Sequence, residues 1–410
     1  MSKELVEGNA ISLMTNGDEF FARALEMVRA ARQEVLIETF MVIDDSVGRE
    51  LQEALIAAAK RGVWISVLAD GYGTHFLPEG FIQEMERVGI HFCLYHPQPR
   101  WLRVRANIFK RLHRKILVVD GHTAFIGGIN YEADHLSRFG AESKQDYAAE
   151  LTGPIVDEIH LFAREAIQEY SGGRLRFVEL VKEKASKAGG QNAAMRFVAR
   201  DNRSHRNSIE NAYLARISAA EHRIVIANCY FFPGYRVLRA LRNAARRGVE
   251  VTILTQGRPD SRLARAAGSL LYDFLVESDI QVFEYWERQL HAKIAAFDDE
   301  WATIGSSNLD PLSLSLNLEA NVFVQDGAFN SRIRKAIGEL IYGSEVVLIN
   351  DSWWKRRTLL KGFISFLVYH FLRHLPGFTA WVPKLERRSS SFRSRHPSGP
   401  SGPDECSPHE

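Results

Sequence analysis

The chain has 410 residues, 46% of them hydrophobic, which is enough for two lobes of ordinary domain size or one large duplicated unit. Its formal net charge of +2 excludes bulk charge as a source of attraction to phosphate, so any such attraction must come from local clusters of cations. Cys93, Cys229 and Cys406 are odd in number and far apart, which argues against a disulfide scaffold and a cysteine-ligated zinc and fits a reducing, cytoplasmic compartment.

Residues 1–17 are acidic and polar where a secretory signal needs a basic start and an apolar run, so no export is expected. Residues 32–71 then read as an apolar strand (Val35-Leu36-Ile37), a polar break, a helix ending near Lys60-Arg61-Gly62-Val63, and a second strand over residues 65–69. Residues 221–257 repeat the reading. The strand is Ile224-Val225-Ile226, the helix closes at Arg246-Arg247-Gly248-Val249, and the next strand covers residues 251–255. Glycine after both helices is a C-cap signal. Each half continues into further strands, at 90–95 and 115–119 in the first and at 280–285 and 293–297 in the second. Apolar strands alternating with amphipathic helices indicate α/β layers with strands buried on both faces. The expected organisation is a first repeat over 1–171, a polar, glycine-punctuated linker over 172–192 and a second repeat over 193–350.

The first repeat carries His113-Arg114-Lys115, then Asp120 after four residues, then Gly127-Gly128-Ile129-Asn130. The second carries His291-Ala292-Lys293, then Asp298 after four residues, then Gly305-Ser306-Ser307-Asn308. Strand residues two apart share a face, so each half offers an imidazole and an ammonium together. If the halves pack about a pseudo-twofold axis, the two imidazoles flank one phosphorus atom. One can then attack it while the other protonates the leaving alkoxide and next deprotonates the incoming hydroxyl. The lysines and asparagines would hold the phosphoryl oxygens without a metal. Asp120 and Asp298 also suit hairpin turns, and so can secure local geometry without touching substrate. A nucleophilic histidine needs its other ring nitrogen held by an acceptor, so a carboxylate is expected downstream in each half. Asp146 and Glu319, each opening an apolar run, are the candidates, with a strand-edge charge facing water as the alternative.

The doubled His-x-Lys-x4-Asp with trailing Gly-x-x-Asn resembles the signature of the phospholipase D superfamily over roughly residues 11–326. Finer similarity, through Phe125-Ile126-Gly127-Gly128-Ile129-Asn130 and Ile304-Gly305-Ser306-Ser307-Asn308-Leu309-Asp310-Pro311, is to shorter bacterial cardiolipin synthases. The resemblance implies a duplicated α-β-α sandwich, two repeats sharing one active site, and transfer of a phosphatidyl group through a phosphohistidine. The implied catalytic residues are His113, Lys115, Asp120, His291, Lys293 and Asp298, supported by Asn130, Asn308, Ser306, Asp146 and Glu319. His113 would be the nucleophile and His291 the acid and base. The implied substrates are phosphatidylglycerol and other phospholipids at a membrane surface, with no cofactor, no metal and no nucleic acid. One departure is Gly128 in the first repeat where the second has Ser306, so the half-sites are not equivalent. A phospholipase D, a phosphatidylserine synthase, a nuclease and a silent phospholipid- or nucleic-acid-binding protein remain the alternatives.

Residues 97–111 interleave arginines with Trp101, Ile108 and Phe109, which suits an anionic lipid headgroup. A solvated basic loop and a nucleic-acid contact are the competing readings. Residues 351–383, with Trp353-Trp354-Lys355-Arg356-Arg357 before an apolar stretch, read as an interfacial helix or one packed on the enzyme. The most apolar part, residues 362–372, is too short to cross a bilayer. Residues 384–410 read as a disordered tail. The expected location is peripheral, on the cytoplasmic side of the cell inner membrane.

Overall fold

The computed structural model describes residues 4–96, 110–173, 175–181, 192–258, 268–349 and 367. The expected interfacial segment 351–383 apart from Leu367, the tail 384–410 and most of the basic stretch 97–111 lie outside the described residues.

The first half runs β1 (Val6–Thr15), α1 (Asn16–Ala30), β2 (Glu34–Thr39), α2 (Ser46–Lys60), β3 (Trp64–Asp70), α3 (Glu79–Arg87), β4 (His91–Tyr95), β5 (Ile116–Val119), β6 (Thr123–Gly127), β7 (Lys144–Gln145), β8 (Tyr147–Thr152) and α4 (Ile155–Tyr170). The second runs β9 (Ala193–Arg200), α5 (Ser208–Ala219), β10 (Arg223–Asn228), α6 (Tyr235–Arg246), β11 (Glu250–Gln256), α7 (Tyr272–Val276), β12 (Gln281–Tyr285), β13 (Gln289–Leu290), β14 (Lys293–Phe297), β15 (Trp301–Gly305), α8 (Pro311–Ser315), β16 (Glu319–Gln325), α9 (Gly327–Gly343) and β17 (Val346–Ile349). Gly62 and Gly248 follow α2 and α6 at φ of 92° and 90°, the left-handed turn that frees each helix end to enter the next strand.

Fifteen strands form one sheet whose order is a mirror: β4-β3-β2-β5-β6-β8-β1 meets β9-β16-β15-β14-β10-β11-β12, with β17 added at the far edge. The halves join where β1 and β9 pair antiparallel, as a twofold relation requires. Helices α1, α2 and α3 bury one face of the first half and α5, α6 and α7 the equivalent face of the second. Helices α4 and α9 share a third core that draws on strands of both halves, so the lobes do not have separate interiors.

Strands β2 and β3 run parallel, as do β10 and β11, whereas β5 and β14 run against them. Within each half, the C-terminal ends of the parallel strands, the start of β5 or β14 and the end of β6 or β15 therefore lie together, and these two ends meet where Leu112 bridges Leu318 and β13 pairs with β7. His113 and His291 precede β5 and β14 and sit there.

Asp120 and Asp298 stand at the opposite end of those strands, about 16 Å along the chain from the lysines at 3.3 Å per residue. The Asp120 carboxylate accepts the backbone N–H groups of Arg32, Gln33 and Glu34 at 2.8–2.9 Å. Asp298 accepts those of Glu221, His222 and Arg223 at 2.8–3.2 Å. This corrects their assignment as catalytic residues: each closes a turn in the left-handed conformation (φ 51° and 48°) and caps the start of the neighbouring strand. Backbone N–H groups hold the Asp298 carboxyl below the usual carboxylate range although burial opposes this. Its stabilising share is therefore present above about pH 4 and is lost as pH falls through its lowered folded value. Asp298→Ala is expected to cost roughly 1–3 kcal/mol near neutral pH. Urea melts at falling pH check it, since the gap from the parent chain should close in acid while the catalytic end stays intact.

Candidate active site

The segment carrying His113 is stitched to the other repeat: His113 N–H donates to the Leu318 carbonyl at 2.9 Å, and Leu318 N–H donates to the Arg111 carbonyl at 2.7 Å. The second repeat returns the arrangement. Strand β13 pairs parallel with β7, and His291 N–H donates to the Gln145 carbonyl at 2.8 Å. In each case the residue after the partner is an acid, so each histidine is laid beside a carboxylate from the opposite repeat. His113 Nδ1 lies 3.0–3.1 Å from the Glu319 carboxylate, and His291 Nδ1 lies 2.6 Å from Asp146 Oδ2. Both acids are fully buried, while the imidazoles keep 14% and 13% of their side-chain surface exposed. With Nδ1–H given to a carboxylate, Nε2 is the nitrogen left to meet a substrate. The sequence reading expects one downstream carboxylate per half, and the structure lays Asp146 and Glu319 each against the histidine of the other half.

Lys115 Nζ donates to the His113 carbonyl at 2.8 Å, and Lys293 Nζ donates to the His291 carbonyl and lies 3.4 Å from Cys229 Sγ. Each ammonium is thus tethered beside its own imidazole with donors to spare.

The family model described as "Cardiolipin synthase, PLD-like domain" matches the chain twice, over residues 24–156 and 213–341. The chain belongs to this family. It is 45% identical over 382 residues to cardiolipin synthase B of Escherichia coli K12, covering 92% of this chain and 91% of that one. Cardiolipin synthase A of Pseudomonas fluorescens is 32% identical, with 79% and 67% covered. Among solved structures, a phosphatidylserine synthase from Haemophilus influenzae superposes with a TM-score of 0.65 over 90% of this chain and 93% of that one, at 15% identity. That likeness shows the shared fold.

Within this family member the two half-sites differ in their electrostatics. Burial pushes the Glu319 carboxyl up, but His113, Lys115 and a bond from Ser306 outweigh it and hold Glu319 below the usual range. Asp146 is raised, because burial exceeds the pull of Lys293, His135 and Lys115. Burial lowers His113, with Lys115 and Lys293 acting the same way against Glu319. His291 is lowered further, by burial and then by Lys293, Lys144, His135 and Lys115. Burial also brings Lys115 down to about 7, opposed by Glu319 and reinforced by Lys293. Each lysine acts on the other repeat's histidine, as expected of one shared cationic pocket. Both imidazoles are neutral in the free protein at neutral pH, and an arriving phosphodiester anion supplies the charge that lets one hold a proton.

Ser306 Oγ donates to Glu319 Oε2 at 2.5 Å and accepts the Ala320 N–H at 3.0 Å, so its hydroxyl steadies the carboxylate of one half-site. A side chain at Gly128 is excluded, because its Cβ would stand 2.4–2.6 Å from both Asp146 carboxylate oxygens. The Gly–Asp and Ser–Glu pairs are alternative solutions to one volume: the shorter acid lies directly on the glycine, and the longer one reaches past a serine. Gly128→Ala must displace Asp146 from His291 and is expected to cut turnover about 100-fold, the scale of a one-ångström misplacement. An unchanged kcat at normal thermal stability would contradict this.

Asn308 Oδ1 accepts from Cys229 Sγ at 3.0 Å, and Asn130 Nδ2 donates to Glu132 at 3.2 Å, so both asparagines are partly engaged inside the protein. Several neighbours escaped the sequence reading. Phe40 stands edge-on to His113 at 5.2 Å with Lys115 Nζ 5.3 Å from its ring. Cys229 occupies the same position after β10 that Phe40 occupies after β2, so aligning the repeats would have found both. Asp70 Oδ2 accepts Leu112 N–H at 2.7 Å and pins the His113 segment. His135, fully buried, packs edge-on against His291 at 5.9 Å. Its signal is the longer path from Asn130 to Asp146 than from Asn308 to Glu319.

Among the described residues, His135, Asp146 and His291, and separately Glu132, Asp134 and His135, bring metal-capable atoms within 4.8 Å of one another. A cation at the first would compete with the proton shared by Asp146 and His291. At the second, Lys144 already bonds Glu132 and Asp134 at 2.6 and 2.7 Å.

Proposed function

We propose that the chain is a cardiolipin synthase that moves a phosphatidyl group from one phosphatidylglycerol to another, releasing glycerol. The observation that carries the reading is the crossed clamp, in which each half's imidazole is oriented by the other half's carboxylate where the two halves meet. His113 Nε2 attacks phosphorus and the P–O bond to the departing glycerol breaks, while a protonated His291 gives that alkoxide its proton. The phosphorylated imidazole of His113 is cationic, and Glu319, the carboxylate held in its charged form, lies against its Nδ1–H. The hydroxyl of a second phosphatidylglycerol then loses its proton to His291 and attacks phosphorus, freeing His113. Lys115 and Lys293 supply N–H donors to the non-bridging oxygens, where charge builds in the transition state. Water in place of the second lipid gives phosphatidic acid.

The proposed location is peripheral, on the cytoplasmic side of the cell inner membrane. No helix among the described residues is long and apolar enough to cross a membrane. Purified protein given labelled phosphatidylglycerol, CDP-diacylglycerol and DNA separately is expected to turn over the first. Lipid mass spectrometry of cells expressing the chain should show a cardiolipin rise that is absent with His291→Ala. An unchanged lipid profile, or turnover of DNA alone, contradicts the proposal.

A further inference from the structure

Four exposed apolar side chains lie on loops and helix starts at the catalytic ends of the two halves. Phe76, 73% exposed, follows β3, and Phe139, 46% exposed, follows β6. Tyr235, 42% exposed, opens α6 after β10, and Leu312, 42% exposed, opens α8 after β15. Strands β3 and β6 end where β5 begins after His113, strands β10 and β15 end where β14 begins after His291, and the loops of the two halves touch through Arg258, which bonds the Ala141 carbonyl and Glu142. Both repeats contribute two of the four.

These loops are held in place. Arg138 beside Phe139 donates to Ser46, which opens α2, and Arg258 reaches the Ala141 and Glu287 carbonyls at 3.3 Å. Phe232 N–H donates to the Leu309 carbonyl at 2.8 Å, joining the loops that lead to Tyr235 and Leu312. Arg111 stacks over Tyr72 at 4.2 Å in the loop that ends at Phe76. Singly exposed apolar side chains are ordinary, but here both repeats set them on braced segments beside the same site, as a docking surface would.

We propose that Phe76, Phe139, Tyr235 and Leu312 form the rim that seats the enzyme on a lipid bilayer, with the catalytic end facing the membrane. This rests on the lipid-transfer reading above. The imidazoles are only 13–14% exposed. A phosphatidyl substrate whose acyl chains remain in the bilayer reaches them only if this end lies against the headgroup layer. Aromatic and aliphatic side chains then enter the boundary between headgroups and chains, while Arg138 and Arg206, both exposed at this end, meet anionic headgroups.

The test uses the full chain and vesicles of phosphatidylglycerol and phosphatidylethanolamine. The paired variant Phe76→Ser with Phe139→Ser is compared with Val181→Ser, which removes an exposed side chain at the other end, where Val181 N–H bonds Gln33. The rim predicts that the paired variant melts like the parent chain but co-floats with vesicles at least about tenfold more weakly, the scale of two exposed aromatic side chains losing apolar burial. It also predicts at least a tenfold fall in the ratio of turnover on vesicles to turnover on soluble short-chain phosphatidylglycerol, with Val181→Ser near the parent in both. Vesicle binding equal to the parent, an equal loss in Val181→Ser, or a change in oligomer size in place of vesicle binding overturns the rim. If the parent transfers no phosphatidyl group on either substrate while the paired variant still loses vesicle binding, the lipid-transfer reading fails and the rim stands.

Discussion

Alanine at His113 or at His291 is expected to lower phosphatidyl transfer on the order of 10^5-fold, the scale seen when one member of a jointly acting catalytic set is removed. The size of the loss discriminates between arrangements. Two independent sites, one per repeat, would leave about half the activity after either single change. One shared site leaves almost none, and the double variant is then no worse than either single one, because both residues serve the same displacement. The crossed hydrogen bonds favour the second outcome: His113 is bonded through its backbone to Leu318, and His291 to Gln145, so neither half holds a complete site. Initial rates on phosphatidylglycerol for the two single variants and the double variant, with melting curves to confirm folding, decide the matter.

The second large effect concerns the buried carboxylates. Asp146→Asn and Glu319→Gln keep the shapes but remove the charge and put an NH2 donor in place of one acceptor oxygen, which frees each imidazole to take the wrong tautomer, and each is expected to lower kcat by about 10^3- to 10^4-fold. The loss should appear in the opposite repeat. In nitrogen-15 spectra of labelled histidine, Asp146→Asn should shift the Nδ1 signal of His291, 2.6 Å away, and leave His113 near its parent position. Glu319→Gln should do the reverse, because its carboxylate lies against His113 at 3.0–3.1 Å. Each acid perturbing the histidine of its own repeat would refute the crossing.

Much of this was legible in the chain because it is written twice. The strands expected at 65–69, 90–95, 251–255, 280–285 and 293–297 appear within about a residue of those limits, since each is an apolar run ended by glycine or charge. The spacing from each histidine to a buried acid was also readable. What spacing cannot carry is which half an acid serves. That is decided by two short backbone contacts, at Leu318 and at Gln145, between segments about 145 to 206 positions apart. The aspartates of the motif misled for a related reason. Asp120 and Asp298 keep step with the histidines because each closes the turn after the strand that its histidine precedes, and their carboxylates serve backbone N–H groups at the far end of that strand. Gly128 was seen as a departure from Ser306, but its cause, the Asp146 carboxylate lying where a Cβ would stand, needs three dimensions.

Soaking crystals of the protein with orthovanadate, a mimic of the five-coordinate phosphorus, tests the central claim most directly. A single vanadium flanked in line by Nε2 of His113 and Nε2 of His291, with Nδ1 of each still bonded to Glu319 and Asp146, is the predicted result. Two separate vanadate ions, each held by one histidine with the other ring out of reach, would contradict it.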